Sequence, residues 1–129
     1  MTDTDLFLDS NIWIAYFLFE NSEATHIIDS EENNIFTSVI SIHEVFKRLR
    51  QLKQEEAAKK AIEFMEETST IIPIDKEIAL SAANNCEKFK LHTIDSLIYT
   101  SSEQTNAKFI TTDHDFLKTP NTKIIEIAK

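Results

Sequence analysis

The chain has 129 residues, 42% hydrophobic and 27% charged, the balance of a globular protein long enough to bury a real core. Its net charge of −9 argues against holding nucleic acid mainly by bulk electrostatics. It contains no glycine, which excludes a Walker A loop, a dinucleotide-binding Gly-rich turn and a Gly-x-Ser-x-Gly nucleophile elbow.

In chain order, Asp5 to Leu8 reads as a first strand and Ser10 to Phe19 as the helix leaving it. A second helix runs from Ser22 to Ser30, with Asn21 or Ser22 as N-cap. Ile35-Phe36-Thr37 is a short strand, followed by a helix from Val39 to Lys53. The next helix, Glu55 to Glu67, is expected to bury Ala58, Ile62 and Met65 at helical spacing. Thr70 to Ile74 is a third strand with Pro73 near its end. Lys76 to Phe89 and Thr93 to Gln104 are helices joined by a turn at Leu91-His92, and Lys108 to Thr112 is a fourth strand. A turn of helix over His114 to Leu117 stops before Pro120, and Lys123 to Ile127 is expected at a sheet edge. This alternation predicts a single α/β domain over residues 1–129. The expected architecture is a three-layer α/β/α sandwich around a mostly parallel sheet of four to five strands.

Without glycine, turns must rely on Asn, Asp and Ser. The single Cys86 cannot pair within the chain and reads as a small buried residue. The start, Met1-Thr2-Asp3-Thr4-Asp5, lacks the basic region of a signal peptide, and the apolar run Ile12 to Phe19 is short for a membrane span. A soluble, cytoplasmic protein is expected.

Four acids fall at strand-to-helix junctions: Asp9 after Leu6-Phe7-Leu8, Glu44 after Ser41-Ile42-His43, Asp95 in Thr93-Ile94-Asp95-Ser96, and Asp113 in Thr111-Thr112-Asp113-His114-Asp115. Each has an ordinary explanation. Asp9 and Asp113 suit N-caps, Glu44 can pair with Lys47 or Arg48, and Asp95 suits a helix N-terminus. Together they sit where ligands bind in open α/β sheets, outside the carboxyl ends of the strands. Carboxylates gathered there repel one another unless a cation lies between them, and hard ions such as Mg²⁺ take oxygen ligands and assist phosphoryl transfer.

The polar residues Ser10 and Asn11 beside Asp9 extend that pattern. His26, His43, His92 and His114 are scattered without zinc spacing, and His114 is a candidate neighbour of the acids. Between Ser41 and Lys60 the bases Lys47, Arg48, Arg50, Lys53, Lys59 and Lys60 form either a solvated helix face or a landing strip for an RNA backbone.

At these motifs, from Asp5 to Ile127, the chain resembles the PIN-domain ribonucleases, most closely the VapC-like toxins of toxin–antitoxin pairs. The resemblance implies an acidic pocket holding one or two Mg²⁺ or Mn²⁺ ions and cleaving single-stranded RNA. Asp9, Glu44, Asp95 and Asp113 match the family's acids, and Asp115 matches a variable fifth position. Asn11 and Thr111 or Thr112 match its polar surroundings. The resemblance also implies a small antitoxin whose tail covers the pocket, and commonly a homodimer. One departure bears on substrate access: Val45-Phe46-Lys47-Arg48 follows Glu44, where the family often has a small residue.

On this basis Asp9, Asp95 and Asp113 are the expected metal ligands, Glu44 completes the site or steers the nucleophile, and Lys47, Arg48 and Arg50 position flanking phosphates. Two rivals remain. A phosphoaspartate hydrolase would use Asp9 as nucleophile but expects an acid two residues later, where Asn11 stands. A catalytically silent PIN-like or receiver-like module would use the acids for metal or partner binding.

Overall fold

The computed structural model describes residues 4–127. Five strands, β1 (Asp5–Leu8), β2 (Asn34–Ser38), β3 (Thr70–Ile72), β4 (Lys108–Thr111) and β5 (Thr122–Ile124), form one sheet in the order β3-β2-β1-β4-β5. All the pairings are parallel. The helices are α1 (Ser10–Leu18), α2 (Glu23–Asp29), α3 (Val39–Leu52), α4 (Glu55–Thr68), α5 (Lys76–Phe89) and α6 (Thr93–Thr105), with a 3₁₀ turn at His114–Phe116.

The two-residue period of β1 divides the core. Leu6 and Leu8 face one side and pack with Ile12 and Trp13 of α1, Ile28 of α2, Val45 and Leu49 of α3, and Met65 of α4. Phe7 faces the other, with Phe109, Phe116 and Ile98 and Tyr99 of α6. The expected three layers are present. The chain steps from β1 to β2 to β3 in one direction and then returns past β1 to β4, which reverses the face its helices cover under the right-handed crossover rule. That reversal leaves a crevice between β1 and β4 at their carboxyl ends, the topological switch point.

Several local expectations needed adjustment. On α4 the buried face is Ala58, Ala61 and Met65, while Ile62 packs at its margin, so the stripe is rotated by about one residue. Strand β3 ends before Pro73, which has no N–H for a ladder bond. Strand β5 pairs over Thr122–Ile124, earlier than expected, and Cys86 is only half-buried. The turns behave as a glycine-free chain requires. Among the described residues Asn21, Asn106, Asn121 and Lys90 hold the left-handed backbone region, and Lys90 and Asn106 end α5 and α6.

Candidate active site

Each acid is delivered by an element whose packing fixes its position. Asp9 follows β1 directly: its N–H donates to the Ile110 carbonyl at 3.0 Å, so the ladder with β4 continues to the residue that caps α1. Behind it the buried Trp13 indole donates to the Thr37 hydroxyl at 3.1 Å, and that hydroxyl donates to the Leu8 carbonyl at 2.9 Å. Helix α1 is thus tied to β2 and β1 one residue from Asp9.

Asp9 is 5% exposed. Oδ1 accepts from the Ser10 N–H at 2.8 Å and Oδ2 from the Thr111 hydroxyl at 2.7 Å. Thr111, fully buried at the end of β4, also accepts from the Asp113 N–H at 3.0 Å. A single hydroxyl therefore sets Asp9 against the Asp113 turn. Asp113 in turn caps the 3₁₀ turn, its Oδ1 accepting from the Asp115 N–H at 2.8 Å. Phe116 anchors that turn in the core, 4.9 Å from Phe109 between ring centroids. Asp95 stands in the first turn of α6, beside Ser96, whose hydroxyl donates to the Ala82 carbonyl of α5. Contrary to the expectation of four strand-to-helix junctions, Asp95 follows a helix and Glu44 lies in the second turn of α3, because both are carried to the sheet edge by helix packing and not by a strand end.

Glu44 projects from α3 and accepts through Oε1 from the Ser10 hydroxyl, and the buried Ser41 hydroxyl lies 2.9 Å from the same Ser10 Oγ. Glu44 is not found pairing with Lys47 or Arg48: among the described residues the ion pairs are Arg50–Glu55 and Lys59–Glu55. Both are exposed, and such pairs stabilise little.

A cleft of about 460 Å³ gathers Asp9, Asn11, Glu44, Asp95 and Asp113 with His43, Lys47 and Arg48. Carboxylate oxygens of Asp95, Asp113 and Asp115 can lie within 4.8 Å of one another, so the closest trio substitutes Asp115 for Asp9. Asp115 was read from the sequence as a variable fifth acid. Its place in the trio follows from the 3₁₀ turn, which points it back beside Asp113. Thr111, not Thr112, makes the bridge to Asp9. Thr112 instead lines a neighbouring trough with Leu18, Phe19, Ile125 and Ile127. His114 is exposed and is not among the residues lining the cleft. Arg50 leaves the site altogether, pairing with Glu55 and lying 5.4 Å over the Phe46 ring. Val45 is fully buried in the core, so its bulk does not enter the cleft.

The electrostatics follow from this crowding. Burial, reinforced by Asp95 and Glu44, pushes the Asp9 carboxyl up to about 7 against the opposing hydrogen bonds from Thr111 and Ser10. Burial pushes Asp95 up to about 6, with Asp113, Glu44 and Asp115 adding to the shift and His92 opposing it. The donor set is entirely carboxylate oxygen, the chemistry of a site for a hard divalent cation such as Mg²⁺ or Mn²⁺. Two carboxyls held above their ordinary range are those a cation would discharge. The residues present fit such an ion.

Ser10 and Ser41 are the members of the site that the sequence did not single out in these roles. Ser10 was noted only as a polar neighbour of Asp9. Ser41 carried a usable signal, lying one helical turn before Glu44 on the same face of α3.

The fold is shared with solved toxin–antitoxin proteins. A toxin–antitoxin complex from Klebsiella pneumoniae superposes with a TM-score of 0.78 at 24% identity, over 92% of this chain and 95% of that one. VapBC2 from Rickettsia felis, bound to a DNA fragment from its promoter, gives 0.76 at 18% identity over 96% and 99%. VapC20 from Mycobacterium tuberculosis, a Sarcin-Ricin loop cleaving toxin, gives 0.73 at 14% over 89% and 95%. No curated protein matches the sequence significantly. The PIN domain family model matches residues 6–121, a stretch that contains all five acids at the carboxyl edge of the sheet, and the chain belongs to the PIN-domain family.

Proposed function

We propose that this chain is a divalent-metal-dependent endoribonuclease cleaving single-stranded RNA, the toxin of a toxin–antitoxin pair. The observation that carries the reading is the convergence of Asp9, Glu44, Asp95 and Asp113 in one cleft at the switch point of the sheet. Family membership and the fold shared with toxin–antitoxin proteins support it.

Asp9, Asp95 and Asp113 would hold the ion, with Asp115 close enough to join them and Glu44 completing the set. When bound, a divalent ion there supplies charge stabilisation at the phosphoryl oxygens and lowers the pKa of a water for in-line attack. The protein's own residues do the rest. Thr111 and Ser10 aim the Asp9 carboxylate, and Glu44, on the opposite helix, faces the incoming water or ion. Lys47 and Arg48, without carboxylate partners among the described residues, are available to backbone phosphates. These contacts position the strand without reading its sequence. Asn11 lies at the junction of the cleft and the neighbouring trough and contributes an amide to that same path.

The partner on this reading is a small antitoxin whose tail covers the cleft and offers an Arg or Lys to the acids, and the active unit is compatible with a homodimer. Among the described residues no helix is long and apolar enough to cross a membrane, and the proposed setting is the cytoplasm. The test is cleavage of single-stranded RNA with Mg²⁺ or Mn²⁺ by the purified protein, Asp9→Asn and Asp95→Asn. Loss of a charge-stabilising group is expected to reduce the rate by about a hundredfold or more. Metal binding without cleavage by the parent protein would favour the silent binding module instead. Equal activity in all three would remove the assignment.

A further inference from the structure

Asp95 reaches the cleft on α6, and α6 packs along α5, no described residue of which lines the cleft. The two helices meet through polar side chains. The Ser96 hydroxyl donates to the Ala82 carbonyl, and Asn85 Nδ2 donates to the Thr100 hydroxyl at 2.9 Å and to Glu103 Oε1 at 2.7 Å. Carbonyl and carboxylate oxygens only accept, so the amide nitrogen is the Asn85 atom that must face Glu103 and, with it, Thr100. Ser96, Thr100 and Glu103 stand at i, i+4 and i+7 on one stripe of α6, and Ala82 and Asn85 share a face of α5. Ser96 and Thr100 are fully buried and Asn85 is 7% exposed, so water does not replace the inner bonds.

This seam answers a mechanical need. Helices packed by ridges and grooves scatter by about 15–20° in crossing angle, whereas a hydrogen bond weakens steeply once misaligned. A carboxylate on α6 lies about 5–6 Å from the helix axis, so a rotation of about 10° moves it about 1 Å. Asp95 also faces the like-charged Asp113, Glu44 and Asp115, whose repulsion pushes the first turn of α6 away from the cleft. The short connection from Lys90 to His92 anchors one end of α6, and the bonds at Thr100 and Glu103 hold it farther along.

We infer that Asn85 is a positioning residue which, through Thr100 and Glu103, sets the register of α6 on α5 and so holds the Asp95 carboxylate in the cleft. The inference rests on the metal-dependent nuclease reading of that cleft. A residue needed only for stability would leave the ion affinity of the folded protein unchanged.

The experiment measures Mn²⁺ binding to the full chain from the electron paramagnetic resonance signal of free Mn²⁺, alongside RNA cleavage and urea midpoints. Asn85→Asp sets a second carboxylate against Glu103 and removes the donor. It is expected to weaken Mn²⁺ binding about tenfold, the scale of a lost outer contact at a metal site, and to lower kcat. KM for RNA should hold, since Lys47 and Arg48 lie on α3. Glu103→Gln alone keeps an acceptor for Asn85 and should bind Mn²⁺ as the parent does. Added to Asn85→Asp, it supplies an amide donor to the new carboxylate and should restore both affinity and kcat. Trp13→Phe, destabilised away from the seam, should keep its affinity.

Asn85→Asp binding Mn²⁺ like the parent, or left unrepaired by Glu103→Gln, would overturn the inference while Asp95→Asn still lost the ion. Trp13→Phe losing as much affinity as Asn85→Asp would also overturn it, since affinity would then follow stability. If Asn85→Asp does not fold, the Thr100→Val/Glu103→Ala pair removes both acceptors instead: weaker Mn²⁺ binding supports the seam and unchanged binding overturns it. A parent protein that binds no Mn²⁺, or Asp95→Asn that binds it unchanged, would overturn the cleft reading and the seam together.

Discussion

Replacing Asp9 by Asn should make the metal-free protein more stable at alkaline pH. Burial is the main cause that raises the folded carboxyl from its ordinary value of 3.8 to about 7. Between those values the folded state keeps a proton that the unfolded chain has lost. The stability associated with it is therefore fully present below about pH 4 and is lost as pH rises through about 7. Roughly three units at 1.36 kcal/mol each correspond to about 4 kcal/mol, of which about 2–3 kcal/mol disappears between pH 5 and pH 8.

Asparagine removes the charge but cannot accept from both Thr111 and Ser10, a loss of about 1 kcal/mol. The advantage of Asp9→Asn over the parent should thus grow by about 2–3 kcal/mol from pH 5 to pH 8. Urea unfolding in EDTA at both pH values measures it, and comparing variants cancels the general repulsion of an acidic chain. Adding Mg²⁺ should then stabilise the parent more than the variant. An Asp9→Asn offset that is the same at both pH values would refute the claim that this carboxyl is held protonated by burial.

Thr111→Val keeps the shape but leaves the Asp113 N–H without its acceptor and Asp9 without its donor. It should destabilise by about 1–3 kcal/mol and move Asp9 further upward, seen as weaker Mn²⁺ binding at neutral pH. Lys47→Gln and Arg48→Gln should weaken RNA binding evenly across sequences, each lowering the slope of log affinity against log salt by about 0.7, whereas Arg50→Gln should not. In Trp13→Phe the lost volume and the broken bond to Thr37 should cost about 1–3 kcal/mol in thermal or urea unfolding. Its effect on ion affinity should be small, since the acids keep their own hydrogen bonds.

The positions of Asp9 and Asp113 were legible because they fall where the hydrophobic period changes, whereas Glu44 lies inside α3 and Asp95 follows the helix α5. Leu6-Phe7-Leu8 before Asp9 and Phe109-Ile110 before the Asp113 turn are buried strands that read as such, and a parallel sheet brings their carboxyl ends to one edge. Helical phase also held unused information. Glu44, Lys47, Arg48 and Gln51 share one stripe of α3 and line the cleft together, while Arg50 lies off that stripe and meets Glu55 instead. The cap explanations for Asp9 and Asp113 proved compatible with placement in the cleft, since each carboxylate accepts a backbone N–H from the segment that follows it.

By itself the sequence determined the order of strands and helices and the placing of Asp9 and Asp113 after strands, because burial and backbone geometry impose their periods on neighbouring residues. Which acids come closest together, and what aims them, was decided only by tertiary structure. Thr111 reaches Asp9 across 102 positions, and Ser10 reaches Ser41 across 31. Hydrogen bonds between residues so far apart leave no periodic trace, because a hydroxyl takes its partner from whatever the packed sheet and helices bring within about 3 Å.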